Sequence, residues 1–275
     1  MAERQIPEGF GDVDGSGAVA ELVGYLRYVN DLPWVRASKD RSLEALELGP
    51  GMRVLDAGSG VGFDACRFAE RVGPGGTVLG IDTSREMVGR AERLRPAGLP
   101  QLSFEIGDAA AIDLPDGTFD AVHCERLLQV HPAPRTGRGR ARPCALPGGS
   151  ARRDRARLGD PRPRSRRSGR GPPPRGAVRR GLSRRLDRPE TRAVPWRAGL
   201  VGVRVEPATV VLHDLPIVLK AMNIGPFLDG AVAGGTISAN ERAALLRALQ
   251  DANANATFLF AMTTFRAVGR RPAAG

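Results

Sequence analysis

The chain reads as an α/β protein with a doubly wound, mostly parallel sheet, and three observations predict it. Short apolar strands alternate with amphipathic helices from Met52 to Cys124. A glycine-rich turn, "VLDAGSGVGFD", joins the first strand to the helix after it. Acidic residues close three consecutive strands at Asp56, Asp82 and Asp108. Strand–helix–strand repeats form right-handed crossovers, which yield a parallel sheet covered on both faces.

The elements follow in order. Residues 17–48 are helical by their apolar spacing, with Leu22, Leu26 and Val29, then Leu43, Leu46 and Leu48, three or four residues apart. "RVLDAG" (53–58) is a short buried strand, "DACRFAERV" (64–72) an amphipathic helix and "TVLGID" (77–82) the next strand. "SREMVGRAERLR" (84–95) is helical, and "LSFEIGD" (102–108) and "TFDAVHC" (118–124) are strands. This grammar stops after His131 and resumes at "AGLVGVRVEPATVVLHD" (198–214), a β-rich stretch. Residues 238–253 form a helix that opens on a cap at Ser238 with Glu241 three residues on. "TFLFAMTTFRAVGR" (257–270), rich in aromatic and β-branched residues, is a long closing strand.

Composition narrows the function classes. The formal charge of +11 suggests a nucleic-acid binder, but the charge is local. Residues 133–197 hold 21 of the 41 basic residues, all arginine, against Asp154, Asp160, Asp187 and Glu190, so the rest of the chain is net acidic. Cys66, Cys124 and Cys144 show no C-x-x-C spacing, which argues against a zinc site or disulfide framework and for a reducing compartment; no metal is expected. No apolar run reaches the ~18 residues of a membrane span, and the first residues lack a signal peptide's apolar core. A cytoplasmic, soluble chain without a membrane span is the expectation, and the sequence sets no oligomeric state.

The glycine turn carries the chemistry. Asp56, Gly58, Gly60 and Gly62 form D-x-G-x-G-x-G between a strand and a helix. Glycines let the backbone approach a ligand there, and the helix's free N–H groups face its polar part. Dinucleotide-binding loops read G-x-G-x-x-G; here Gly62 follows Gly60 by two, which favours a nucleoside ligand other than NAD. Asp82, ending the second strand, is placed to accept hydrogen bonds from both ribose hydroxyls. Asp108, ending the third, is placed to accept an adenine amino proton.

On the motifs "VLDAGSGVG", "GIDTSREMVGRA", "FEIGDAAAIDLPDGTFDAV" and "ERLLQV", the chain resembles the class I S-adenosylmethionine-dependent methyltransferases. Within them it is similar to the small-molecule group of ubiquinone and menaquinone biosynthesis C-methyltransferases. The resemblance covers roughly 40–131 and, more loosely, 198–270. It implies a Rossmann-like sheet of seven strands, with the fifth strand region (about 133–197) replaced by an Arg/Pro/Gly-rich segment expected to be disordered. It also divides the chain into a helical cap (1–48), a cofactor-binding half (49–132), the basic segment (133–197) and a C-terminal half with a helical lid insert (198–275). The implied cofactor is S-adenosyl-L-methionine, held by Asp56, Gly58, Ser59, Gly60, Gly62, Asp82, Thr83, Met87, Gly107, Asp108, Ala109 and Glu125. Within that set, Gly58, Gly60 and Gly62 would line the methionine part and Asp82 the ribose. Met87 would pack near the adenine, with Asp108 and Ala109 at its edge. Ser59 stands where many relatives have cysteine.

The implied reaction is methyl transfer to a small-molecule acceptor, quinone-like or a secondary metabolite. Candidate general bases follow the fourth strand at His123 and Glu125, with His131 and His213 as weaker choices. Glu125 and Arg126 also suit orienting the cofactor or the following helix. Tyr25, Tyr28 and Trp34 either cover a lipophilic substrate or pack the cap. Two other functions compete: an RNA methyltransferase that uses the basic segment as an arm, and a non-catalytic cofactor-binding relative.

The basic segment favours neither partner class by itself. It lacks lysine, interleaved aromatics and any apolar period, and its ten prolines interrupt helix and strand alike, so nucleic acid is not the expected partner. Arginine supplies 39 of the chain's 41 basic residues, as GC-rich coding DNA would. Read from the second base of each codon, "PGGSARRDRARLGDP" (147–161) permits "PGGALVVTEPDWET", a turn, an apolar strand and an acidic end. The same offset turns "RPETRAVPW" (188–196) into "GRKLAPSL", which runs directly into the β-rich stretch. Two compensating frame shifts, near 131–136 and near 195, are the leading reading and would impair the chain. A disordered linker and a nucleic-acid arm remain beside it.

Overall fold

A computed structural model describes residues 13–16, 19–109, 112, 117–126, 146–147 and 200–271. The cap holds a short helix α1 (Val13–Ser16), then α2 (Val19–Asp31) and α3 (Pro33–Ala45). Pro33 divides the last two because it tolerates only the first turn of a helix. β1 (Arg53–Ala57), α4 (Phe63–Val72), β2 (Thr77–Asp82), α5 (Arg85–Leu94), β3 (Leu102–Ile106) and β4 (Ala121–His123) follow the alternation read from the sequence. These strands form one parallel sheet in the order β3-β2-β1-β4. Asp56 stands opposite Gly80 on one side and His123 on the other, and Asp82 stands opposite Ile106.

The pleat sorts the core into two layers. Val54, Val78, Leu102 and Ala121 face α4 and α5, packing against Phe68, Ala69, Val72, Val88 and Ala91. Leu55, Ala57 and Ile81 face the other way, against Ala109, Ile112, Phe119 and Val122. A third cluster joins the cap to this unit: Val13, Leu22 and Val23 close over Val61 and Met87. Asp14 of α1 accepts hydrogen bonds from the backbone N–H of Arg85 (3.0 Å) and Glu86 (3.2 Å), capping α5 from 70 residues away.

The C-terminal part contains β6 (Val201–Leu212), α6 (Leu215–Ala221), α7 (Ile224–Ala233), α8 (Ala239–Ala254) and β7 (Phe260–Arg271). Ser238 and Glu241 close the expected capping box of α8. Tyr25 donates to the Ala221 carbonyl at 2.9 Å, and the Lys220 ammonium lies 3.9 Å from the centre of the Tyr28 ring. Those two aromatic residues thus join the cap to α6.

One feature differs from the single seven-stranded sheet of the sequence reading. Among the described residues β6 and β7 pair antiparallel in a second sheet, ordered β5-β7-β6, where β5 is only Leu146–Pro147. The physical reason lies in the sequence: the run between β4 and β6 is rich in arginine and proline and carries no apolar period of the kind that writes a central strand. Most of residues 133–197, and His131, lie outside the described residues. No single helix among the described residues is long and apolar enough to cross a membrane.

Candidate cofactor and transfer site

Parallel strands put all four carboxyl ends on one edge, where the glycine loop, Asp82, Gly107–Asp108 and His123 gather. The loop is latched to β2: the N–H groups of Gly58 and Ser59 both donate to the Ile81 carbonyl, at 2.8 and 2.9 Å. Gly58, Gly60 and Gly62 take φ of 75°, 54° and 83°, the left-handed region that side chains disfavour. The N-terminus of α4 carries no side-chain cap, so its first N–H groups are left for a ligand.

Gly62 shows how tightly the loop is drawn in. A Cβ there would stand 2.3 Å from Cζ of Phe104, which belongs to β3. Gly62→Ala adds a strained φ worth about 1–3 kcal/mol to that clash. It is expected to lower the melting temperature and abolish cofactor binding; an alanine variant that melts and binds like the parent would show the loop to be loose.

Asp82 links the loop to the next helix. One carboxylate oxygen accepts the Gly60 N–H at 2.9 Å and the other the Ser84 N–H at 3.0 Å. Burial pushes its pKa up, against those two N–H bonds. Gly107 donates to the Asp82 carbonyl at 3.0 Å, so β3's end is registered on the same residue. Thr83 and Asp108 are exposed at this edge. Ala109 packs under the sheet with Ile81, and Met87 is 1% exposed beneath the cap, against Val61 and Leu22. Met87 therefore supports the loop from behind.

A charged cluster lies beside the loop. His123 Nδ1 is 2.8 Å from a carboxylate oxygen of Asp56, and its ring meets Phe68 edge-on with centroids 5.0 Å apart. Burial alone would lower the His123 pKa, but the hydrogen bond and charge of Asp56, with Asp64 and Glu125 nearby, push it up to about 9. Lys39, only 8% exposed, reaches from α3 to Asp64 of α4 and to Glu125, the latter at 3.1 Å. Burial drives the Asp64 carboxyl up despite Lys39, whereas at Glu125 the cations Lys39 and Arg126 outweigh burial and hold it low. Lys39 carried no motif; its one signal is that it is one of two lysines beside 39 arginines.

The His123–Asp56 pair has a pH signature. A folded pKa above the unfolded value near 6.5 means that its stabilisation is complete below about pH 6. That stabilisation is lost as pH rises through about 9. The change is on the order of 3 kcal/mol. Urea unfolding at pH 6 and pH 9.5 checks it: the parent should lose stability, and His123→Gln should show a flat profile. A parent as stable at pH 9.5 as at pH 6 would rule out the buried imidazolium.

His213 is elsewhere. Its Nδ1 lies 3.1 Å from the Phe258 carbonyl, and it lines a cleft of about 500 Å³ with Asp214, Pro216, Asn253, Ala256 and Phe258 at the junction of β6 and α6. Tyr25 and Tyr28 are engaged with α6, and the buried Trp34 Nε1 has no hydrogen-bond partner among the described residues.

Comparison with known proteins agrees with the loop geometry. Residues 48–142 match a family described as a methyltransferase domain. An uncharacterised 37.1 kDa protein of transposon TN4556 from Streptomyces fradiae is 39% identical over 132 residues, 48% of this chain and 38% of that protein. The nocamycin O-methyltransferase of Saccharothrix syringae is 40% identical over 93 residues, 34% of this chain and 33% of that one. The demethylmenaquinone methyltransferase of Beutenbergia cavernae is 39% identical over 104 residues, 38% of this chain and 39% of that one. The chain thus matches less than two fifths of the length of these relatives.

Proposed function

Since residues 48–142 carry a class I S-adenosylmethionine-dependent methyltransferase domain, we propose that the protein transfers a methyl group from that cofactor to a small-molecule acceptor, quinone-like or a secondary metabolite. The observation that carries the reading is the loop itself: three left-handed glycines, an uncapped helix N-terminus and a half-buried carboxylate on the next strand converge at one sheet edge. That donor and acceptor set fits a nucleoside with a charged amino-acid tail. The named relatives favour a small acceptor, since one is a nocamycin O-methyltransferase and another a demethylmenaquinone methyltransferase by name.

When bound, S-adenosylmethionine supplies an electrophilic methyl carbon on a positive sulfur, ready for in-line displacement. The loop backbone from Gly58 to Gly62 would hold the methionine end. Asp82, with Thr83, would hold the ribose hydroxyls, and Gly107, Asp108 and Ala109 the adenine edge. Alignment and exclusion of water supply most of the rate in such a reaction.

The cluster favours a positioning role for His123 and Glu125 over proton abstraction. An imidazolium bound to Asp56 has no free lone pair to act as a base at neutral pH, and a carboxylate tied to Lys39 is a weak one. His123 would orient Asp56 beneath the loop, and Glu125 would fix the segment after β4. The acceptor is then one that reaches the site as an anion or an electron-rich ring carbon. Calorimetry tests the reading: S-adenosylmethionine should bind and NAD should not. A folded sample that binds NAD, or fails to bind S-adenosylmethionine, overturns it.

One observation favours a cofactor-binding relative without turnover. Among the described residues the parallel sheet ends at β4, so the strands that position the cofactor are described and none beyond β4 is. Binding of S-adenosylmethionine with no transfer to a panel of phenolic and quinol acceptors would support that second reading.

A further inference from the structure

Away from the cofactor edge, three arginines converge on one cleft. It encloses about 280 Å³ between α2 and α5, and its walls include Val23, Gly24 and Arg27 of α2 and Arg90, Arg93 and Leu94 of α5. Residues three or four apart share a helix face, so Gly24 with Arg27 forms one wall and Arg90 with Arg93 and Leu94 the other. The glycine loop and Asp82 lie where α5 begins, at Ser84. Arg90 and Arg93 stand roughly 8–12 Å further along the axis than Arg85, at about 1.5 Å per residue. The cleft is therefore separate from the edge that serves S-adenosylmethionine.

Three like charges around one small cleft raise its potential and draw in an anion. Among the described residues none of the three pairs with a carboxylate, whereas Arg95, just beyond them, pairs with Glu92 at 3.1 Å. Nε of Arg90 is buried with no hydrogen-bond partner among the described residues, a donor that a ligand oxygen would satisfy. Arg93 lies back along its own helix over Gly89, with Nη1 3.5 Å from the point where a Cβ of Gly89 would stand. Gly24 keeps the floor open: it sits within α2, where glycine is less stable than alanine, yet a Cβ there would meet nothing within 4 Å. The space over Gly24 belongs to the cleft.

We propose that this cleft is a second ligand site, which clasps the phosphate of a phosphate monoester between Arg27, Arg90 and Arg93 and lays its apolar body along Val23 and Leu94. Guanidinium forks donate paired hydrogen bonds to oxyanions, and a monoester presents a terminal oxygen to each of the three. Leu94, 42% exposed beside the arginines, offers the apolar contact. Val23 also packs in the cluster that closes the cap over Val61 and Met87, so an occupied cleft holds α2 to α5 and steadies the cap. A soluble phosphate ester and the headgroup of phosphatidic acid present this same chemistry.

Amide hydrogen exchange on the full chain, in phosphate-free buffer without cofactor, reads the site where it lies, apart from any anion held by the arginines of 133–197. The probes are inorganic phosphate, hexyl phosphate, and vesicles of phosphatidylcholine with and without phosphatidic acid. At hexyl phosphate about ten times its Kd, residues 19–31 and 85–94 should exchange about tenfold more slowly, by the factor 1 + [L]/Kd. Inorganic phosphate, which lacks the apolar body, should bind at least about tenfold more weakly. Arg90→Met keeps the stem and removes the charge, and Gly24→Leu fills the floor; each should raise the Kd at least about tenfold in a sample that melts as a folded protein. Stronger protection by phosphatidic acid vesicles than by hexyl phosphate, absent with phosphatidylcholine alone, supports the site with a lipid as its source, and the reverse supports it with a soluble ester. No slowing of the two helices by any probe overturns the proposal, and so does protection that survives in both variants. Inorganic phosphate binding as tightly as hexyl phosphate overturns the apolar half of the site. Because exchange is read without cofactor, these results stand whether or not S-adenosylmethionine binds.

Discussion

Replacing Asp82 with alanine is expected to weaken binding of S-adenosylmethionine at least about 100-fold. Hydrogen bonds from ribose hydroxyls to a carboxylate each contribute about 1.5–3 kcal/mol, and two such bonds exceed the 2.7 kcal/mol that 100-fold represents. The side chain also holds the loop itself, through the N–H groups of Gly60 and Ser84. Asp82→Asn keeps one acceptor oxygen but turns the other atom into a donor facing an N–H, so it should fall near alanine. Calorimetry on samples first shown to be folded by circular dichroism is the measurement. An alanine variant that binds within threefold of the parent would remove Asp82 from the ribose site and with it the orientation of the cofactor proposed for this edge.

The parts of this edge that were legible in the sequence are those written by local pattern. Strand–turn–helix alternation marked β1 to β4 to within a few residues, because each strand carries a contiguous apolar run and each helix a separate apolar face. The D-x-G-x-G-x-G spacing marked the loop because backbone conformation there depends on the glycines themselves. What the sequence hid depends on partners far apart in the chain. Asp14 capping α5 spans 70 residues, and Lys39 to Glu125 spans 86. Neither distance leaves a period or a motif. Met87 is buried where α1 and α2 close over it, a packing between distant elements that no local period writes. The pairing of β6 with β7 in a sheet apart from β1–β4 is likewise a long-range choice that no local pattern writes. His123 illustrates the limit for chemistry: its position after the fourth strand suggests a base, whereas its partner Asp56, 67 residues away, holds its pKa up, a contact no local pattern writes.

Lys39→Met should destabilise the fold by about 3–5 kcal/mol, the usual cost of removing one partner from a buried ionic cluster. Lys39 is the cation between Asp64 and Glu125, whose side chains are 16% and 32% exposed, and without it the two carboxylates face each other with Asp56 close by. The loss has a sign in pH. Burial already raises the Asp64 pKa, and removing the ammonium that lowers it raises it further. A group whose folded pKa lies above its unfolded value contributes stability at low pH that is lost as pH rises, so Lys39→Met should be closest to the parent near pH 5 and furthest from it above pH 8. The double variant Lys39→Met with Asp64→Asn should recover much of the loss, because it removes the stranded charge as well as its partner. Urea midpoints of parent, single and double variants at pH 5 and pH 8 measure all of this. A single variant equally destabilised at both pH values, with no rescue by Asp64→Asn, would reduce Lys39 to a packing residue. The expected pattern instead makes it the joint that ties the helical cap through Asp64 to the glycine loop's helix and through Glu125 to the segment after β4, so that the cap and the cofactor edge form one cooperative unit.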